Sequence, residues 1–184
     1  MITDLTVISG KYKGTKLASP RHVATHPMGA REKNALFNML QPWIQGATVL
    51  DAYAGSGALG IEALSRGATE VVFVERATPV VRTLRENLGR IQAQTELVAG
   101  NVVDFASNPN WQGKFDLIIA DPPYDDFRLQ EIETLEALLV TDGVLALSYP
   151  GKLGELQLSD LTLIADRRYA VARIGIYQKH DKIR

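Results

Sequence analysis

The chain has 184 residues, 46% hydrophobic and 22% charged, enough for one continuous core and too few for two full domains. It has no cysteine, which excludes a disulfide framework, a thiolate metal site and a cysteine nucleophile. Its three histidines, His22, His26 and His180, are too scattered for a histidine-built centre, so no metal is expected.

The net charge of −1 hides a polarised distribution. Lys11, Lys13, Lys16, Arg21, Arg31 and Lys33 outweigh Asp4 and Glu32, giving residues 1–34 a net charge of +4. Arg167, Arg168, Arg173, Lys179, Lys182 and Arg184 outweigh Asp181, giving residues 167–184 a net charge of +5. The stretch between carries −10. Basic ends that met on one face would make a phosphate-binding footprint; the plain alternative is that they are solvated. The first residues lack a basic segment followed by a long apolar run, and no stretch reaches the roughly 18 apolar residues of a membrane span. A cytoplasmic monomer with no membrane partner is expected.

In chain order, Thr6-Val-Ile-Ser and Lys16-Leu17, with Gly10 and Gly14 between, predict a short strand or hairpin. Arg31 to Leu40 is predicted helical, with Ala35, Leu36, Met39 and Leu40 on one face and Pro42 stopping it. Thr48-Val-Leu50 predicts a strand ending at Asp51. A helix follows from Gly57 to Arg66, a strand over Glu70–Val74, and a helix over Pro79–Ile91. Thr95–Ala99 and Phe115–Ala120 read as strands, Arg128–Leu139 as a helix and Gly143–Ser148 as a strand. Leu161–Ala165 and Ala170–Tyr177 close the chain as an antiparallel hairpin turning at Asp166-Arg167-Arg168.

Strands alternating with helices predict an α/β fold of the Rossmann-like kind, a mostly parallel sheet covered on both faces. The chain is expected to be one domain, with residues 1–41 as an N-terminal hairpin and helix added to a catalytic core over 42–184. Ligands of such sheets bind beyond the carboxyl ends of the strands, at the switch point.

The first such loop is Asp51-Ala-Tyr-Ala-Gly55-Ser-Gly57-Ala-Leu-Gly60. G-x-G-x-x-G between a strand and a helix lets backbone approach a ligand, but nicotinamide enzymes share it. Two acids discriminate. Asp51 at the strand end would repel a pyrophosphate and can receive the ammonium or sulfonium side of S-adenosylmethionine. Glu75 closes the next strand and can take both ribose hydroxyls of a nucleoside. Asn101, after the third strand, can pair with the adenine N6 amine while Val102 packs on the ring; an Asn after a glycine is also a turn residue.

Asp121-Pro122-Pro123-Tyr124 is the most specific signal. Two prolines fix an extended backbone and remove two N–H donors. The Asp121 carboxylate and a proline carbonyl remain as acceptors, suited to a planar amino group with two hydrogens to give. Holding both aims the nitrogen lone pair at a methyl sulfonium for in-line attack. Tyr124 offers a face on which a flipped base can stack. Phe127 can line that pocket or simply pack.

Asp51-Ala-Tyr-Ala-Gly-Ser-Gly, Glu75, Asn101 and Asp121-Pro-Pro-Tyr, in this order, resemble the bacterial RsmD family of 16S ribosomal RNA guanine-N2 methyltransferases. Ile8-Ser-Gly-Lys-Tyr-Lys-Gly-Thr-Lys-Leu17, Ala35-Leu-Phe-Asn-Met-Leu40 and Tyr169–Tyr177 are similar to the same family, so the resemblance covers nearly the whole chain. It implies a seven-stranded class I methyltransferase fold with the last strand antiparallel, S-adenosylmethionine as donor, and guanine N2 in ribosomal RNA or a small-subunit assembly intermediate as acceptor. It assigns the base to Asp121, Pro122 and Tyr124, and the cofactor to Asp51, Tyr53, Gly55, Gly57, Glu75, Asn101 and Val102. It assigns RNA phosphate to Lys11, Lys13, Lys16, Arg21, Arg31 and Lys33. One stretch departs. The family usually has Arg-Pro-Thr, a small residue and Asp-Arg-Val-Arg-Glu where this chain has His26-Pro-Met28-Gly-Ala30-Arg31-Glu32-Lys33-Asn34. The target nucleotide is left open by that change.

The alternatives are an adenine-N6 or other amine or amide methyltransferase acting on DNA, other RNA or protein, a non-catalytic RNA-binding module, and a nicotinamide oxidoreductase. The Asp-Pro-Pro-Tyr motif is shared with adenine-N6 methyltransferases. Against DNA stands the lack of any target-recognition insertion, against a protein amide the Asp at 121 where Asn is usual, and against the last two the joint presence of Asp51, Glu75 and Asp-Pro-Pro-Tyr.

Overall fold

The computed structural model describes residues 5–20 and 28–180. Arg21, one of the expected RNA contacts, lies outside them, as do His22, His26, Lys182 and Arg184. The chain opens with strands β1 (Leu5–Thr6) and β2 (Lys16–Leu17), paired antiparallel, and helix α1 (Ala30–Ile44). The alternating part runs β3 (Thr48–Asp51), α2 (Ala58–Ser65), β4 (Glu70–Glu75), α3 (Thr78–Leu88), β5 (Thr95–Ala99), α4 (Val102–Ser107), β6 (Phe115–Ala120), α5 (Leu129–Glu133) and β7 (Leu139–Pro150). Strands β8 (Leu161–Arg168) and β9 (Ala172–Lys179) follow.

The main sheet has seven strands in the order β5-β4-β3-β6-β7-β9-β8. The five from β5 to β7 are parallel, and β9 runs antiparallel between β7 and β8. This is the Rossmann-like methyltransferase arrangement the sequence predicts. The chain builds outward from β3 through β4 to β5, then returns to lay β6 and β7 on the other side. The switch point therefore lies between the carboxyl ends of β3 and β6, where Asp51 and Asp121 stand.

Both faces of the sheet are covered, which is why its strands read as unbroken apolar runs. Along β4, Val71 and Phe73 join one core with Phe37 and Leu40 of α1, Ile61 of α2 and Leu84 of α3. Val72 and Val74 join the other, with Phe105 of α4, Ile132 of α5, Tyr149 and Tyr177.

Several boundaries differ from expectation. Pro42 does not stop α1, which continues to Ile44. Pro42 is exposed and forfeits one backbone hydrogen bond, while buried Leu40 and Ile44 on either side keep the last turn wound. The segment expected as one helix over Arg128–Leu139 is α5 followed by a 3-10 turn over Thr134–Leu138. Its buried residues Ile132, Leu135 and Leu138 recur every three positions, the 3-10 repeat. Helix α4 escapes the periodicity reading because it is six residues long. The last hairpin turns at Tyr169–Val171 rather than at 166–168, because Asp166 pairs diagonally across the ladder with Arg173 through two hydrogen bonds of 2.8 and 2.6 Å. No helix among the described residues is long and apolar enough to cross a membrane, and no cluster of three or more His, Asp or Glu among them is arranged to hold a metal ion.

Candidate active site

Asp51 ends β3 almost completely buried, and its Oδ2 accepts the Gly60 N–H at 2.8 Å. That bond ties the strand end to the first turn of α2. The three glycines of the loop have separate tasks. A Cβ on Gly60 would strike the Phe73 ring, and one on Gly57 (φ 82°) would strike Leu84, so these two let α2 seat closely on the sheet. A Cβ on Gly55 (φ 54°) would meet nothing within 4 Å. Gly55 thus turns its backbone toward open space in front of the loop, the place where a ligand would lie against main chain.

Glu75 ends β4 and anchors the same loop. Its Oε2 accepts the Gly55 N–H at 2.9 Å and its Oε1 accepts the Ala77 N–H at 2.7 Å. Tyr53 is half-buried and donates its hydroxyl to Glu131 Oε2 at 3.4 Å; burial, then the Glu131 carboxylate, push its ionisation upward. Asn101 stands at the end of β5 as the N-cap of α4. Its Oδ1 accepts the Asp104 N–H at 2.8 Å and its amide nitrogen donates to Asp104 Oδ2 at 2.6 Å. Val102 is buried in the core beside Phe105. The Asn101 amide is therefore occupied in capping, the turn role left open by the sequence.

Beyond β6, Pro122 is buried and Pro123 extended (φ −61°, ψ 126°), so the corner presents no backbone donor at either position. Asp121 is held by the Ser148 hydroxyl, and Tyr124 Oη lies 2.6 Å from Ser148 Oγ. Ser148 sits near the carboxyl end of β7 with 3% exposure and was invisible to motif reading, because nothing marks one serine in an apolar strand. Register alone could have found it: Ala120 pairs with Leu147, so the residues that follow each, Asp121 and Ser148, are neighbours.

Three carboxylates converge. Burial pushes Asp51 up to about 7, opposed by the Gly60 N–H and reinforced by the charges of Asp121 and Glu75. Burial pushes Asp121 up to about 6, opposed by Ser148. Tyr124 is pushed up to about 12 by burial, opposed by Ser148 and reinforced by the charges of Asp121 and Glu32 of α1. The glycine loop and the diproline corner thus share one cleft, and the first turn of α1 faces it. Acceptors crowded at low dielectric favour a cationic or N–H-rich ligand and disfavour a phosphate.

The expected RNA contacts separate. Lys11 and Lys13 are exposed, with the Lys11 ammonium 5.0 Å from the Tyr12 ring centroid. Their loop packs on the far end of α2, where the Lys11 N–H donates to Ser65 O at 2.8 Å, beside the Gly67–Thr69 turn that enters β4. This is the edge opposite the cleft, one strand length away, about 20 Å for six residues. Lys16 is exposed near Arg90, which donates to its carbonyl at 2.7 Å. Arg31 is exposed on the first turn of α1, at the cleft edge. Lys33 corrects the expectation: it is 4% exposed, donates to Thr6 O at 3.0 Å and lies 3.5 Å from Glu62 Oε2. An apolar face of α1 carries it inward, and a buried carboxylate, not RNA, meets it.

The basic ends do not meet as a single footprint among the described residues. The turn of the β8–β9 hairpin does lie at the cleft edge, because β8 runs parallel to β7 and Pro150 pairs with Ala172. The end of β8 brings exposed Arg167 and Arg168 up to it, and the turn itself carries the 76% exposed Val171.

Comparison with known proteins agrees with this architecture. The family model described as "Conserved hypothetical protein 95" matches residues 5–178. The chain is 38% identical over 131 residues, 70% of its length and 67% of the relative's, to a ribosomal RNA small subunit methyltransferase D of Haemophilus influenzae. Among solved structures it superposes with a TM-score of 0.86 at 27% identity on a proposed methyltransferase of Escherichia coli, covering 96% of this chain and 98% of that one. A proposed methylase of Haemophilus influenzae gives 0.80 at 30% identity, covering 97% and 99%.

Proposed function

The chain belongs to the RsmD family of methyltransferases, and from that premise we propose that it transfers a methyl group from S-adenosylmethionine to the exocyclic N2 amine of a guanine in small-subunit ribosomal RNA. The observation that carries this reading is the adjacency of Asp121 to Asp51, close enough for one charge to disfavour the other. An amine-gripping corner beside a nucleoside-type glycine loop is what methyl transfer to a base requires.

The residues fit the donor. Asp51, Glu75 and Asp121 are acceptors facing a common space, suited to the positive charge of a sulfonium or ammonium, and Gly55 leaves the loop backbone uncovered. On this reading Glu75 takes the ribose hydroxyls, Asp51 the charged end, and Tyr53, Gly57, Asn101 and Val102 shape the walls. Bound S-adenosylmethionine supplies an electrophilic methyl group. The protein supplies position: Asp121 and the Pro122 carbonyl accept the two amine hydrogens, which turns the nitrogen lone pair toward the methyl carbon. Tyr124 stacks on the base, a contact worth about 1–3 kcal/mol. Ionised Asp121 takes up the proton the nitrogen sheds once it has formed its new bond.

The substrate approaches the cleft edge. Arg31 on α1 and Arg167 and Arg168 on the last hairpin flank the catalytic corner, so on this reading RNA phosphate is met there first. Lys11, Lys13 and Lys16 serve longer RNA that wraps toward the opposite edge. A ribosomal substrate places the work in the cytoplasm.

Nucleoside analysis of 16S ribosomal RNA from a strain lacking this protein tests the reading. One N2-methylguanosine is expected to vanish and to return when purified protein and S-adenosylmethionine are added to that RNA or its subunit. An unchanged N2-methylguanosine content would refute the guanine assignment, and loss of N6-methyladenosine instead would favour the adenine alternative.

A further inference from the structure

The Ser148 hydroxyl stands between the two residues assigned to the base. Its oxygen lies 2.6 Å from Tyr124 Oη, and the pairing of Ala120 with Leu147 sets it beside Asp121, whose ionised carboxylate it favours as a hydrogen-bond donor. No other hydrogen bond to the Asp121 side chain is found among the described residues. A serine hydroxyl has one hydrogen to give. An ionised carboxylate only accepts, so Ser148 donates to Asp121 and its oxygen is left to accept from Tyr124. The chain of bonds then has a single direction, from Tyr124 through Ser148 to Asp121.

Its surroundings are rigid. Leu147 and Tyr149 on either side are fully buried, and Ser148 pairs with Ile174 in the middle of an antiparallel ladder. A hydroxyl fixed on such a strand is a more exact reference point than one on a loop. Asp121 and Tyr124, by contrast, lie outside the sheet: Asp121 follows the last residue of β6, and Tyr124 opens a single 3-10 turn over Tyr124–Asp126.

We propose that Ser148 is a positioning residue of this site: anchored in β7, it sets the plane of the Asp121 carboxylate and the tilt of the Tyr124 ring together, so that both meet an incoming amine in register. It holds one carboxylate oxygen and leaves the other for a substrate N–H. It pins the tyrosine by its hydroxyl and leaves the ring face for the base. This assignment rests on the amine-methylation reading above.

The test is Ser148→Ala, followed by two measurements. The first is the titration of Asp121 in the ligand-free protein by carbon NMR of labelled aspartate. The charged group beside Asp121 is Asp51 at the end of β3, itself beside Glu75 at the end of β4, and those beside Tyr124 are Asp121 and Glu32 on α1; none is altered by the substitution. Loss of the Ser148 hydrogen bond should therefore move the Asp121 midpoint upward from about 6. The second is the pH dependence of transfer. Its acid limb should move up by the same amount, with kcat reduced roughly 10- to 100-fold, as for loss of a hydrogen bond to a charged group. Affinity for S-adenosylmethionine should be unchanged.

A serine that merely filled space would lower stability and leave both midpoints where they are, and that result in a folded variant overturns the proposal. Should the alanine variant not fold, Ser148→Cys, close in size with a weak donor, gives the same two outcomes. The ligand-free titration is independent of what is methylated. Its failure removes Ser148 alone, whereas absence of any transfer by the wild-type protein removes the functional reading.

Discussion

Lys33 Nζ lies 3.5 Å from Glu62 Oε2, and both side chains are buried. Glu62 is the joint between the N-terminal arm and the catalytic body. It accepts the Ile8 and Ser9 N–H groups at 2.7 and 3.0 Å and the Arg66 Nε at 2.8 Å. Removing one member of a buried pair strands the other, at about 3–5 kcal/mol. Lys33→Met should cost about 3 kcal/mol, the lower end of that range because Arg66 remains beside Glu62. Glu62→Ala should cost about 5 kcal/mol, since it also orphans two backbone donors. Denaturant unfolding checks both. A Lys33→Met protein of unchanged stability and diminished RNA affinity would restore Lys33 to the RNA surface.

Asp121→Asn should reduce transfer by roughly 100-fold or more while S-adenosylmethionine still binds, because the amide keeps one acceptor but cannot take up the proton that the methylated amine sheds. For the same reason the wild-type rate should fall as pH drops through about 6, where Asp121 takes up its own proton. Single-turnover rates and calorimetric donor binding, measured across that range, separate the two effects. Full activity in Asp121→Asn would remove the carboxylate from the mechanism.

The cleft was legible because its parts sit at strand ends, and strand ends are the most legible points of an α/β sequence. Asp51, Glu75 and Asp121 each close an apolar run, and Gly55, Gly57 and Gly60 are spaced for a turn into a helix. Lys33 misled because charge was counted without the helical face: it stands three residues before Leu36 and seven before Leu40, on the buried stripe of α1. Glu62 and Ser148 escaped notice for the opposite reason. Each is a polar residue flanked by apolar neighbours, and its partner is 54 positions away for Glu62 and Ile8, or 24 for Ser148 and Tyr124. Asn101 carried both a turn and a ligand reading, and the two bonds to Asp104 show its amide capping α4.

Asp51 makes stability depend on pH in a direction unusual for an acid. Its folded value is raised from 3.8 to about 7, so between those limits the folded protein binds more protons than the unfolded chain. The stability held by neutral Asp51 is complete below pH 3.8 and is lost as pH rises to about 7. Asp51→Asn keeps an acceptor for the Gly60 N–H and carries no charge to bury. The melting temperature of wild type relative to this variant should therefore fall steadily from pH 4 to pH 7. A difference that stayed constant over the range would mean that Asp51 is not strained by burial. Donor affinity should drop in the variant at neutral pH, where the missing charge matters most.

The separation of the basic groups predicts which of them a short RNA will feel. Arg167 and Arg168 stand at the cleft edge at the end of β8, three strands from β6, on the order of 15 Å at the usual strand spacing. Lys11 and Lys13 stand about a strand length away on the other edge. Arg167→Glu with Arg168→Glu should weaken a short stem–loop roughly tenfold at low salt. The same pair should lower the slope of log affinity against log salt by about one for each phosphate that is no longer neutralised. Lys11→Glu with Lys13→Glu should leave that stem–loop untouched and weaken only RNA long enough to reach both edges. Neither pair makes a side-chain contact with the cleft, so S-adenosylmethionine binding should survive in both. If the lysine pair governed the short RNA and the arginine pair did not, the substrate would have to enter from the opposite edge, and the hairpin would lose its role.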